Sequence, residues 1–125
     1  MGDSLRLMGD LQKGEIMDIQ SVEEQILIDL KKVIKETGGE HILKIVLYGS
    51  RARGDYDIES DIDVAIIVSG LTRELKNRLL ETVADIELKY HTPLSVLVFS
   101  EEDFEFLKKR ERRIALDIEK EGILL

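Results

Sequence analysis

Apolar positions fall into blocks of two periods along this chain. Val22, Ile26, Leu30, Val33 and Ile34 recur at helical spacing. "SVEE" precedes them and matches a capping box, with Ser21 as N-cap and Glu24 reaching back. Gly38-Gly39 closes that predicted helix. Residues 1–20 have weak periodicity and several Gly and Asp. They read as an N-terminal arm with room for a short helical piece, ahead of a single domain over 21–125. Ile42–Tyr48, rich in branched residues, reads as a strand. Ile62–Val68 reads as a second, whose continuous apolar end suggests burial on both faces.

The period then returns to helical. Thr72 is placed to cap a helix carrying Leu75, Leu79, Val83, Ile86 and Tyr90 on one side. Thr92-Pro93 ends it, and Leu94–Phe99 reads as a third strand. "SEED", from Ser100, opens a further helix with acids in its first turn, where the helix dipole favours them. Helical spacing resumes through Ile114 and Ile118, Gly122 stops it, and "ILL" can form a last short strand. The predicted order is α-β-loop-β-α-β-α-α-β. It implies an α/β or α+β domain: a small mixed sheet flanked by helices.

Composition narrows the function classes. A chain of 125 residues has room for one domain with a core. The absence of Cys excludes disulfides, thiolate zinc sites and a cysteine nucleophile, and is compatible with a cytoplasmic location. No apolar run approaches the ~18 residues of a membrane span, and residues 1–20 lack the basic start and apolar centre of a signal peptide. The net charge of −8 speaks against broad nucleic-acid binding. It does not speak against a small anionic substrate carried with its own cations. "KKRERR", Lys108 to Arg113, is a basic island that reads as a solvated helix face or as a contact for phosphate or an acidic partner. His41 and His91 are too few and too separated for a zinc site and read as structural.

The chemistry concentrates in "GSRARGDYDIESDID", Gly49 to Asp63, with four aspartates and a glutamate. Asp61 and Asp63 stand at i and i+2 at a strand start, so both carboxylates point to one side of the sheet. Two such carboxylates repel unless a cation lies between them, and Mg²⁺ characteristically takes one or two carboxylates together with substrate phosphates. Gly49-Ser50 follows the first strand directly, where glycine lets a phosphate approach the backbone and the next N–H groups and the serine hydroxyl can donate to it. Arg51 and Arg53 read either as phosphate clamps or as partners of Asp55, Asp57 or Glu59. Gly54 reads as a turn with positive φ. Ser60 can cap or steady the loop before the carboxylates.

Gly-Ser, ten residues (Arg51 to Ser60), then Asp-x-Asp resembles the signature of the DNA polymerase β-like nucleotidyltransferase superfamily. The fuller "GSRARGDYDIESDIDVAII" is similar to the stand-alone minimal nucleotidyltransferases of bacteria and archaea, which include partners of HEPN-domain toxins. The resemblance implies a polymerase β-like palm and transfer of a nucleoside monophosphate, AMP from ATP, to an acceptor hydroxyl. It implies that Gly49 and Ser50 hold the triphosphate, with Arg51, Arg53 and Ser60 beside it, and that Asp61 and Asp63 are catalytic ligands of Mg²⁺ or Mn²⁺. It also implies an antitoxin role with a tyrosine on a HEPN-domain protein partner as acceptor. Tyr48, Tyr56 and Tyr90 are read as packing residues before self-modification sites. Superfamily enzymes usually carry a third carboxylate on the strand after the long helix, and here that position is Ser95. A second reading is therefore a weak or inactive nucleotide-binding module that neutralises its partner by contact. A third is transfer to a small molecule such as an antibiotic, for which the chain offers no second domain. The acceptor, the base preference and a homo-oligomeric state are left open by the sequence.

Overall fold

The computed structural model describes residues 11–54 and 61–125, with side chains from Val22 onward except that of Ser50. Element order is α1 (Leu11–Gly38), a 3₁₀ turn (Gly39–His41), β1 (Ile42–Tyr48), α2 (Ser50–Arg53), β2 (Ile62–Val68), α3 (Arg73–Tyr90), β3 (Leu94–Ser100), α4 (Glu101–Lys109), α5 (Arg113–Glu121) and β4 (Ile123–Leu124). The sheet order is β3-β2-β1-β4. β1 runs antiparallel to β2 and to β4, while β2 and β3 are parallel, joined through α3. A parallel pair needs such a crossover, whereas the antiparallel β1 and β2 do not.

Each strand sends alternate residues to opposite faces, and both faces are covered. On one, Ile45, Leu47, Ile62, Val64, Ile66 and Val68 pack with Ile26, Leu30 and Ile34 of α1 and Leu79, Val83 and Ile86 of α3. On the other, Val46, Tyr48, Ala65 and Ile67 pack with Phe104 of α4 and with Ala115 and Ile118 of α5. That double burial is why β2 reads as an uninterrupted apolar run rather than an alternating one.

Local signals behave largely as expected. Thr72 Oγ1 caps α3 by accepting from Leu75 N at 3.1 Å, and Ser100 caps α4 by accepting from Asp103 N at 3.0 Å. Gly54 takes φ +81°. The expected start of the first helix is corrected. α1 runs from Leu11, so Ser21 lies in its interior and "SVEE" does not open a helix. Residues 11–20, the second half of the expected arm, are helical. The basic island sits at the end of α4, in the turn and at the start of α5. Its first and last residues are paired there: Lys108 reaches Glu105 at 2.8 Å, and Arg113 reaches Asp117 at 3.9 Å. His41 Nδ1 lies 3.0 Å from the Ser69 carbonyl, and His91 forms the left-handed C-cap of α3. Both are structural positions. Tyr48 is buried in the second core cluster, and Tyr90 donates to Asp29. Tyr56 lies outside the described residues.

Candidate functional site

Register brings the site together. Tyr48 on β1 is paired with Asp63 on β2, and Asp63 with Ser95 on β3, so one row crosses three strands. By alternation Asp63, Ala65 and Ile67 share a face, which is the face covered by α4 and α5. Asp61, exposed one residue before β2, falls on that face too. Its charge acts on Asp63.

Gly49 leaves β1 at φ +75°. A Cβ built there would stand 2.5 Å from Asp63 Oδ2. Only glycine lets the backbone turn in this way with a carboxylate against it. The chain then enters the single turn of α2, closed by Arg53 N donating to Gly49 O at 3.2 Å. The Gly-Ser end of β1 and the Asp-x-Asp start of β2 are therefore neighbours, as the sequence implied. Ser60, and with it Asp55, Asp57 and Glu59, lies outside the described residues.

The electrostatics bear on one of the two carboxylates. The Asp63 carboxyl is pushed above the usual carboxylate range, first by burial. Hydrogen bonding from Ser95 works against that rise, Asp61 adds to it, and the charges of Arg51 and Arg53 oppose it. Burial and the nearby Asp63 charge likewise raise the Tyr48 phenol. Among the described residues no group of three or more His, Cys, Asp or Glu converges on one point. Among the described residues at this end of the sheet, the oxygens that could take a hard cation are those of Asp61 and Asp63, with the Ser95 hydroxyl where a third acid was looked for.

The arginines have partners that the sequence did not point to. Arg51 Nη1 donates to Glu23 of α1, and its side chain is only 6% exposed. Arg53 Nη1 donates to Glu121, at the end of α5, at 3.2 Å. Both acids are distant in sequence, 28 and 68 residues away, and no local pattern signals either pair. The acids on either side of β3 have other places. Glu87 accepts from Leu94 N at 2.8 Å, and Glu101 to Asp103 form the first turn of α4.

Comparison with known proteins gives consistent matches. The family described as "Polymerase beta, Nucleotidyltransferase" matches residues 28–125. A Methanocaldococcus jannaschii protein named "Putative protein adenylyltransferase" is 34% identical over 76 residues, 60% of this chain and 77% of its own length. A second of the same name and organism is 35% identical over 82 residues, 66% of this chain and 78% of its own. A solved Sulfolobus solfataricus structure, titled a "putative nucleotidyltransferase", aligns at TM-score 0.46 and 23% identity, covering 83% of this chain and 85% of that one.

Proposed function

Because this chain belongs to the polymerase beta nucleotidyltransferase family, we propose that it transfers AMP from ATP to a hydroxyl of a protein, using a divalent cation at Asp61 and Asp63. The relatives' names support the protein acceptor. The single observation that carries the cation is the site's own electrostatics: two carboxylates on one face, one of them burdened by burial and by its neighbour's charge. Hard oxygen donors of this kind suit Mg²⁺ or Mn²⁺. When bound, the cation would neutralise charge that develops on the transferring phosphoryl group.

The protein's own parts have separate tasks. Gly49, with no side chain, keeps the β1 exit open beside Asp63 and leaves backbone accessible to a phosphate. Ser50 begins the turn that follows and offers its backbone N–H. Ser95 steadies the Asp63 carboxylate across the strand pair. Arg53, half-exposed, is the cation best able to follow a triphosphate tail. The family resemblance adds Ser60, next to Asp61 in sequence, to the nucleotide-binding residues. On this reading the acceptor is a HEPN-domain toxin and the chain is its antitoxin, acting in the cytoplasm.

Ser95 in the row with Asp63 favours one second reading, a slow or inactive nucleotide-binding module that neutralises its partner by contact. Both readings require metal-dependent binding of ATP. Calorimetry should show ATP binding with Mg²⁺ and at least about tenfold weaker binding in EDTA, as expected when a ligand's anchoring cation is removed. Asp61→Ala and Asp63→Ala should remove the Mg²⁺ dependence while the fold persists. Equal affinity with and without divalent cation would refute the cation reading.

A further inference from the structure

The outer side of α4 carries a charge pattern separate from the carboxylate site. Phe104 anchors this helix to the sheet, packed in the cluster of Val46, Ala65 and Ile67. Glu102, Phe106 and Lys109 recur at i, i+4 and i+7, one stripe that faces away from that anchor. Glu101, Glu105 and Arg110 flank the stripe, and all six residues are exposed. Phe106 is 55% exposed, with the Arg110 guanidinium 4.8 Å from its ring centre. The stripe is therefore acidic toward the start of α4, aromatic at its middle and basic toward the end. Five of the six residues line an open depression of about 440 Å³. Among the described residues, no ion pair within the chain takes up Glu102 or Lys109.

Such a stripe is complementary to itself. A two-fold axis brings the basic end of a second copy to this acidic end, and the reverse contact follows by symmetry. With the axis between Glu105 and Phe106, Glu102 meets Lys109 of the second copy and Glu101 meets its Arg110. The two Phe106 side chains then lie beside the axis. Glu105 falls near its own copy there, and Lys108 already neutralises it at 2.8 Å. A parallel alignment would instead set acid on acid and base on base, which is costly. We propose that α4 is a self-association surface: two copies of this chain pair their α4 helices antiparallel, Glu102 of each against Lys109 of the other, with Phe106 at the centre. The inference is independent of the cation reading. A net charge of −8 on each copy opposes unspecific approach of two chains, so local pairing of opposite charges selects this face. A nine-residue helix from each copy makes a small interface, so the dimer is weak, with a dissociation constant on the micromolar scale.

Sedimentation velocity of the full chain over a concentration series tests this. Wild type should pass from monomer to dimer as concentration rises. Phe106→Ser, Glu102→Lys and Lys109→Glu should each weaken the dimer about tenfold or more, the scale of losing a central contact. All three positions are exposed, so the fold should persist. Glu102→Lys and Lys109→Glu, each weak alone, should dimerise when mixed in equal amounts, because each then meets its opposite charge at both ends. That rescue cannot come from a change inside one helix. A wild type that stays monomeric at every concentration overturns the inference. So does a dimer indifferent to any of the three substitutions, or a pair of charge variants that does not recover on mixing. A monomer that instead binds a poly-glutamate peptide through Lys109 and Arg110 assigns the surface to an acidic partner, and overturns the dimer as well.

Discussion

Gly49 and Asp63 constrain each other. The glycine combines φ +75° with a Cβ position 2.5 Å from Asp63 Oδ2. Gly49→Ala therefore meets both backbone strain and a clash with a carboxylate, at a cost of about 1–3 kcal/mol. The carboxylate can yield only by leaving its place in the row. Denaturant unfolding should show the lost stability, and Mg²⁺-dependent ATP binding should fall more than stability does. An alanine variant with unchanged ATP affinity would mean that the close approach has no functional weight. Asp63 itself is a liability in the metal-free protein. Its folded-state pKa is raised, so between the ordinary carboxylate value and the raised one the folded state binds more protons than the unfolded state. Stability then falls as pH rises through that window, and the cost persists at neutral pH. Asp63→Asn in EDTA should melt a few degrees, about 1–3 °C, above wild type at pH 7. The advantage should vanish near pH 3, below the ordinary carboxylate range. A variant less stable than wild type at pH 7 would contradict the assigned burden on Asp63.

The elements were legible where one period held for many residues. The strands β1 to β3 and helix α3 follow directly from branched runs and from the Leu75–Tyr90 spacing. The start of α1 was not, because "LQKGEIMDIQ" includes Gly14 and few apolar residues, and a capping-box match at Ser21 gave a false beginning. A local motif says that a cap is affordable, not that a helix already under way must stop. The Gly-Ser and Asp-x-Asp halves of the site were readable because they flank neighbouring strands. Glu23 and Glu121 were not, because their pairs with Arg51 and Arg53 exist only once α1 and α5 have docked. That docking rests on burial. Leu30 is fully buried between α1 and the sheet. Leu30→Ala should cost about 2–5 kcal/mol, against about 1 kcal/mol for Thr72→Ala at the cap of α3. Urea titrations of the two variants would show whether packing outweighs capping; a reversed order would place the strength of this layer in its helix ends.

At the scale of the molecule, a protein of net charge −8 handles an anionic substrate. A nucleoside triphosphate approaching two carboxylates needs a cation to make the encounter attractive. On the proposed reading that cation sits where the glycine turn of β1 meets the start of β2, beside Asp63. ATP labelled in the α-phosphate, or separately in the γ-phosphate, discriminates the chemistry directly when incubated with the protein, Mg²⁺ and a HEPN-domain protein. The account predicts label on the partner from α-labelled ATP only, lost in Asp61→Ala and Asp63→Ala and lost in EDTA. Label from γ-labelled ATP, or α-label that survives either aspartate substitution, would contradict it.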